Sequence, residues 1–103
     1  MLKINLIAIG DIKEGYLQQA IAEYSKRISR FAELKIIELK ENNPASANEK
    51  DILSALEKDA LNIEKHMKGY PICLDIDAPR FSSEQFAEKI QNLCLKTSEI
   101  SFI

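Results

Sequence analysis

Tryptophan is absent from the chain, and its 103 residues include one histidine, two cysteines, three glycines and three prolines. So little glycine and proline excludes a collagen-like or low-complexity protein. It also leaves no G-x-G-x-x-G run or phosphate-cradling loop behind any strand; Gly10 stands alone after an apolar run and reads as a turn residue. The two cysteines lack a CxxC spacing and a histidine at ligand spacing, so neither a zinc site nor a disulfide is expected. Cys73, in a predicted strand, and Cys94, in a predicted helix, are expected as small buried apolar side chains. The longest apolar run, Leu6 to Ile9, is far too short to span a bilayer, and no basic stretch followed by an apolar segment and a cleavage site opens the chain. The expected compartment is the cytoplasm. Positive charge is lacking too: 14 Lys and Arg against 16 Asp and Glu give a net charge of −2, which offers no electrostatic footprint for nucleic acid.

What is present is an ordinary globular balance, 46% hydrophobic and 29% charged, long enough for one domain with a modest core. Leu2 to Ile9 is an Ile-rich run that suits a strand buried on both faces of a parallel sheet. From Tyr16, apolar residues at Leu17, Ala20, Ile21, Tyr24, Ile28 and Phe31 keep helical spacing, while Lys26, Arg27 and Arg30 occupy the last turns, where they oppose the helix dipole. Leu34 to Leu39 is short and rich in β-branched residues, a second strand. Lys40 to Asn48 is a polar connection, with Ser46 and Glu49 spaced as a capping box. Ile52, Leu53, Leu56, Ala60, Ile63 and Met67 then predict a buried helical stripe that stops at Gly69. A third strand is expected over Ile72 to Ile76, then a capping box at Ser82 and Gln85, a helix buried through Phe86, Ile90 and Leu93, and a last strand over Glu99 to Ile103. The alternation β-α-β-α-β-α-β predicts an α/β domain with a mostly parallel sheet and flanking helices.

Few residues invite a chemical role on their own. His66 has no evident partner to orient it as a base and reads as a surface or helix-end residue. Asp75 and Asp77 stand at a strand end, where α/β proteins keep functional carboxylates and where loop-forming acids are equally at home. Tyr16 and Tyr24, near Lys26 and Arg27, have the chemistry to stack on bases, but their helical spacing favours core packing. The residues describe a sheet domain with a ligand edge and do not name the ligand.

Three stretches add a family. Leu2 to Phe31, with Ala8-Ile9-Gly10, the turn from Lys13 to Tyr16 and the run Glu23-Tyr24-Ser25-Lys26-Arg27, is the first. Leu74-Asp75-Ile76 with the downstream run from Ser82 to Ala87 is the second, and Ile100 to Ile103 the third. Together they resemble the bacterial large-subunit (23S) ribosomal RNA methyltransferase H family, enzymes of the SPOUT or α/β-knot class that methylate N3 of a pseudouridine. The resemblance covers nearly all of this chain and about the first two-thirds of a family member. It implies S-adenosylmethionine as cofactor, 23S rRNA within the ribosome as partner, a homodimer, and no metal or membrane.

In the family the cofactor is held by three loops, and only the one at the strand resembling Ile72 to Ile76 has a counterpart here. Leu74 is therefore the single cofactor contact the resemblance assigns, and no catalytic residue is assigned. Residues 1–103 are expected to be a single incomplete domain without the C-terminal knot, its Pro-His and Tyr-His elements and most of the dimer surface, and to be inactive alone. Within the covered region, Ala78 and Pro79 stand where the family usually has Gly and Lys, and Lys58 where a glycine often follows Glu57. Two other readings stay open: a non-enzymatic ribosome-binding or assembly module of the same fold, and an unrelated nucleotide-binding protein, which would need the phosphate loop the chain lacks.

Overall fold

Leu2–Ile9 forms the inner strand β1 of a four-stranded sheet in the computed structural model, which describes every residue from Met1 to Ile103. In chain order follow α1 (Gly15–Ile28), β2 (Ala32–Leu39), α2 (Glu49–His66), β3 (Tyr70–Ile72), α3 (Ser83–Leu93) and β4 (Glu99–Phe102). The strands lie in the order β2-β1-β4-β3 and every pairing is parallel. The expected α/β class and element sequence are the observed ones. The crossovers from β1 to β2 and from β3 to β4 run the same way across the sheet, and that from β2 to β3 runs back. Right-handed connections therefore place α1 and α3 on one face and α2 on the other.

The core lies in the middle of the sheet. Ile100 and Ser101 on β4, flanked by β1 and β3, are fully enclosed, and Ile7 on β1, Ala32 and Leu39 on β2 and Ala55 on α2 are also buried. Alternation along β1 sends Leu2, Ile4 and Leu6 toward α1 and α3, and Asn5 and Ile7 toward α2. On the first face Phe86 of α3 meets Phe102 of β4 with ring centroids 6.1 Å apart. On the second, Ser101 Oγ donates to the Lys68 carbonyl at 2.6 Å and accepts from the Lys68 N–H at 3.0 Å, tying the end of the α2 crossover to the sheet.

Gly69 follows α2 by three residues rather than capping it; the cap position is Met67, in an extended conformation. Its glycine identity has another cause. Its φ is +72°, and a Cβ there would fall against the Glu99 carbonyl oxygen and 2.6 Å from the Glu99 carbonyl carbon. A backbone approach that close, where β3 is laid against β4, admits only glycine.

The helices pack less completely than their periodicity predicts. Tyr16 and Tyr24 are not core residues: they are 72% and 60% exposed, and Phe31 is 80% exposed. α1 lies beside the edge strand β2; Ser25 and Ile28 are its only half-buried residues, and the side of its stripe bearing Ala20 and Tyr24 stays exposed. α2 is rotated about a quarter turn from its apolar stripe. It faces β1 through Ala55, Asp59 and the half-buried His66, leaving Ile52, Leu53 and Leu56 exposed. Ala55 permits close approach, and buried Asp59 is satisfied because its Oδ1 accepts from the Asn42 backbone N–H (3.0 Å) and Nδ2 (2.7 Å).

Three local expectations are corrected as well. The N-cap of α2 is Asn48, whose side chain accepts from the Asp51 N–H at 2.9 Å, while Ser46 Oγ donates to the Asp51 carboxylate at 2.6 Å. The third strand is Tyr70–Ile72, not Ile72 to Ile76. β4 pairs with it only to Phe102, and beyond that Asp75 folds into its own turn. Both cysteines are exposed: Cys73 follows the edge strand, and Cys94 caps α3 at its outer end. The capping box at Ser82 and Gln85 is present as expected, and no helix is long and apolar enough to cross a membrane.

Candidate functional site

The loop that leaves β3 is held at both ends and bare in the middle. At its start the Leu74 N–H donates to the Ile103 carbonyl at 2.8 Å, and the Ile103 N–H to the Ile72 carbonyl at 2.9 Å, so the ladder continues one step past the strands. Asp75 Oδ1 then accepts from the Asp77 N–H at 2.9 Å, and the Ala78 N–H donates to the Asp75 carbonyl at 3.1 Å, closing a turn over Asp75 to Ala78. Pro79 carries the chain to Ser82. There Ser82 Oγ accepts from the Gln85 N–H (3.1 Å) and Gln85 Oε1 from the Ser82 N–H (2.9 Å), starting α3 at a fixed place.

Between the loop and α3 opens a 560 Å³ concavity lined by Ile72, Cys73, Leu74, Asp75, Ile76, Ala78, Pro79, Phe81, Ser82, Ser83 and Phe86. Its size is that of a small-molecule site and its wall is mainly apolar. A second hollow of 420 Å³ continues it along the free edge of β3, sharing Ile72, Phe81 and Phe86 and adding Tyr70, Lys89, Asn92 and Lys96. Leu74 is 60% exposed and Ile76 91% exposed, so the apolar side chains on the loop side are presented to solvent rather than packed.

The other sequence candidates lie apart. His66 ends α2 at the opposite, amino end of the strands, where it borders a hollow with Lys3, Glu33 and Glu99. Its Nδ1 lies 2.8 Å from the Asn62 carbonyl; a carbonyl only accepts, so Nδ1 carries the proton. It is a helix-end residue as expected. Gly10 has φ +92° and donates its N–H to the Leu39 carbonyl at 2.7 Å, the turn it was read as. The crevice at the carboxyl ends of β1 and β2, whose connections leave to opposite faces, is where open α/β sheets commonly bind ligands. Here it is polar, with Asp11, Glu38 and Glu41 around one lysine, Lys40, a lining ill suited to a purine or an anion. No group of His, Cys, Asp and Glu is arranged to hold a metal. Asp75 serves its turn, as a loop-forming acid would. Arg27 of the basic trio pairs with Glu23 at 3.2 Å and lies 5.6 Å from the Tyr24 ring centroid.

A family model described as "Predicted SPOUT methyltransferase" matches residues 2–103. The chain belongs to the SPOUT methyltransferase family. Its match to the ribosomal RNA large subunit methyltransferase H of Clostridium novyi is 45% identical over 92% of this chain and 62% of that protein. A putative ribosomal RNA large subunit methyltransferase H of Methanococcus maripaludis is 43% identical, and the ribosomal RNA large subunit methyltransferase H of Streptococcus uberis is 39% identical, each over 99% of this chain and 67% of the relative. The chain thus spans about two-thirds of the length of these SPOUT proteins, less in the first case.

Within this SPOUT chain the structure groups Leu74 with Asp75, Ile76, Phe81 and Phe86 and leaves His66, Tyr16 and Tyr24 elsewhere. Phe81 was not singled out from sequence, although a signal existed. It precedes the cap Ser82, and Phe86 is the fourth helical residue, the spacing of a hydrophobic staple that fixes the angle at which a chain enters a helix.

Proposed function

We propose that this chain is the donor-binding part of a methyltransferase that moves a methyl group from S-adenosylmethionine to N3 of a pseudouridine in 23S rRNA of the assembled ribosome, acting in the cytoplasm as a homodimer. The observation that carries the reading is the apolar concavity behind β3, with Leu74 on its wall, in a chain that the family model matches over residues 2–103. The lining fits the purine half of such a cofactor, because Leu74, Ile76, Phe81 and Phe86 offer apolar surface. Leu74 and Ile76 would hold it. When bound, the cofactor supplies an electrophilic methyl group on sulfur.

What this chain's own residues contribute is placement. The hydrogen bond from Leu74 to Ile103 and the Ser82–Gln85 box fix the two ends of the loop, so the wall between them is pre-set, and in-line transfer gains much of its rate from such fixed geometry. Loss of the ring proton needs an acceptor, and none is assigned here: Asp75 Oδ1 is engaged by its own turn and His66 sits at the far end of the sheet. Residues 1–103 supply one wall, and turnover needs a second, so these residues alone do not methylate.

The test joins residues 1–103 to the C-terminal third of the Clostridium novyi relative and incubates the chimera with unmodified ribosomes and labelled donor. Methylation at N3 of pseudouridine is expected from the chimera and none from residues 1–103. A chimera that melts cooperatively but does not bind donor overturns the reading; one that binds donor and methylates nothing overturns the substrate. The exposure of Ile76 also suits a second reading, a ribosome-binding module that has lost catalysis, which predicts co-sedimentation with ribosomes and no donor binding by the chimera.

A further inference from the structure

The inner strand of a parallel sheet is normally apolar on both faces. Here the α2 face changes character halfway along the sheet. At the carboxyl half it presents Ile7, Ile37 and Leu39; at the amino half the paired registers bring together Lys3, Asn5, Glu33, Lys35, Glu99 and Ser101. Lys65 and His66 at the end of α2, and Lys68 in the connection to β3, close this polar half, leaving a 320 Å³ concavity with only two hydrophobic residues in its lining.

Its charges are unbalanced and unpaired. Four lysines line it against two glutamates, in a chain whose 14 Lys and Arg are outnumbered by 16 Asp and Glu. Glu99 is already engaged, its Oε2 accepting from Asn5 Nδ2 at 2.8 Å, and the chain's one salt bridge, Arg27–Glu23, lies elsewhere. Lys65 has a structural use, since positive charge in a last turn offsets the helix dipole. Lys3 stands in register between Glu33 and Glu99 without an ion pair to either, and Lys35, in register with Asn5, has no acid opposite it.

We propose that this concavity seats backbone phosphates of RNA: Lys3, Lys35, Lys65 and Lys68 are the phosphate contacts, on the α2 face at the amino end of the sheet, the opposite end from the Leu74 concavity. Four unpaired ammonium groups around a small polar hollow match a phosphodiester, which is read by position and charge rather than by sequence. The acidic remainder of the chain keeps non-specific binding low, so the contact registers a backbone only where shape brings it to this end of the sheet. The inference takes from the proposed function only that the polyanion is RNA.

The test is fluorescence anisotropy of a labelled RNA hairpin with the 103-residue chain across a salt series. Each lysine–phosphate contact contributes about 0.7–0.9 to the slope of log K against log salt, so the variant with Lys3, Lys35, Lys65 and Lys68 all changed to Gln is expected to lose about 3 from the slope and at least about tenfold in low-salt affinity. All four side chains are exposed, and the pairs K3Q/K35Q and K65Q/K68Q, each losing about half the slope, guard against a misfolded quadruple variant. The control changes Lys13, Lys26, Lys50 and Lys58 to Gln and is expected to keep most of the slope. Absence of RNA binding by the unaltered chain, equal losses in the two quadruple variants, or equal affinity for a poly-glutamate of matched charge would each overturn the proposal. None of these outcomes bears on donor binding by the chimera, so the two readings fail separately.

Discussion

Replacing Gly69 with alanine sets a steric cost against a conformational one, and Gly10 provides the reference. Both glycines have positive φ, +72° and +92°, so alanine at either site bears the strain of a left-handed backbone, about 1–2 kcal/mol. They differ in surroundings: a Cβ on Gly10 meets nothing within 4 Å, whereas one on Gly69 lies 2.6 Å from the Glu99 carbonyl carbon and 2.8 Å from its Cβ. Those are backbone and near-backbone atoms of the strand that holds β3, so relief requires β3 to move away from β4, an overpacking cost of about 1–3 kcal/mol more. Gly69→Ala is therefore expected to destabilise by about 2–5 kcal/mol in all, and Gly10→Ala by about 1–2 kcal/mol. At about 4–8 °C per kcal/mol for a domain near this size, the two melting temperatures should differ by about 10 °C. Thermal unfolding followed by far-UV circular dichroism measures both. Equal losses would refute the close approach, and with it the registration of β3 that positions the Leu74 loop.

Two further outcomes follow from the packing. Asp59→Ala leaves the Asn42 N–H without its acceptor and should cost about 1–3 kcal/mol in urea unfolding, whereas Asp59→Asn keeps a carbonyl there and should cost less; equal losses would mean that the buried carboxylate does not anchor α2 through Asn42. Cys73 and Cys94 should both react with a thiol reagent in the native protein, and labelling of either only after denaturation would contradict their exposure.

Where structure is dictated locally, the sequence was a good guide. The bounds of β1 agree with the expectation to the residue, and the Ser82–Gln85 box starts α3 where its two side chains require. The helix faces were less legible, because periodicity identifies an apolar stripe but not which part of it a neighbour covers. α1 borders an edge strand and leaves Tyr24 exposed, and α2 turns Ala55 and Asp59 inward because a small side chain and a satisfied carboxylate allow a closer approach than Leu53 or Leu56 would. Ile72 to Ile76 reads as a strand by composition, yet the strand ends at Ile72, one further ladder bond joins Leu74 to Ile103, and the Asp75 turn prevails beyond it.

The candidate site shows the same division. Leu74 was reached through resemblance to a family, since nothing in an isolated leucine marks a ligand wall, while Phe81 and Phe86 carried a staple pattern that sequence could have exposed. The lysine-lined hollow at the amino end was hidden altogether. Its residues come from β1, β2, β4, the end of α2 and the connection that follows it, far apart in a chain of net negative charge, and only the folded sheet brings them together.

Donor binding at the β3 loop is tested most directly by a nuclear magnetic resonance titration of the ¹⁵N-labelled 103-residue chain with S-adenosylmethionine. A one-walled site should bind in the millimolar range, about −4 kcal/mol, with amide shifts concentrated at Leu74, Ile76 and Phe81. No shift at saturating donor, or shifts centred instead on Lys3, Lys35 and His66, would contradict the account.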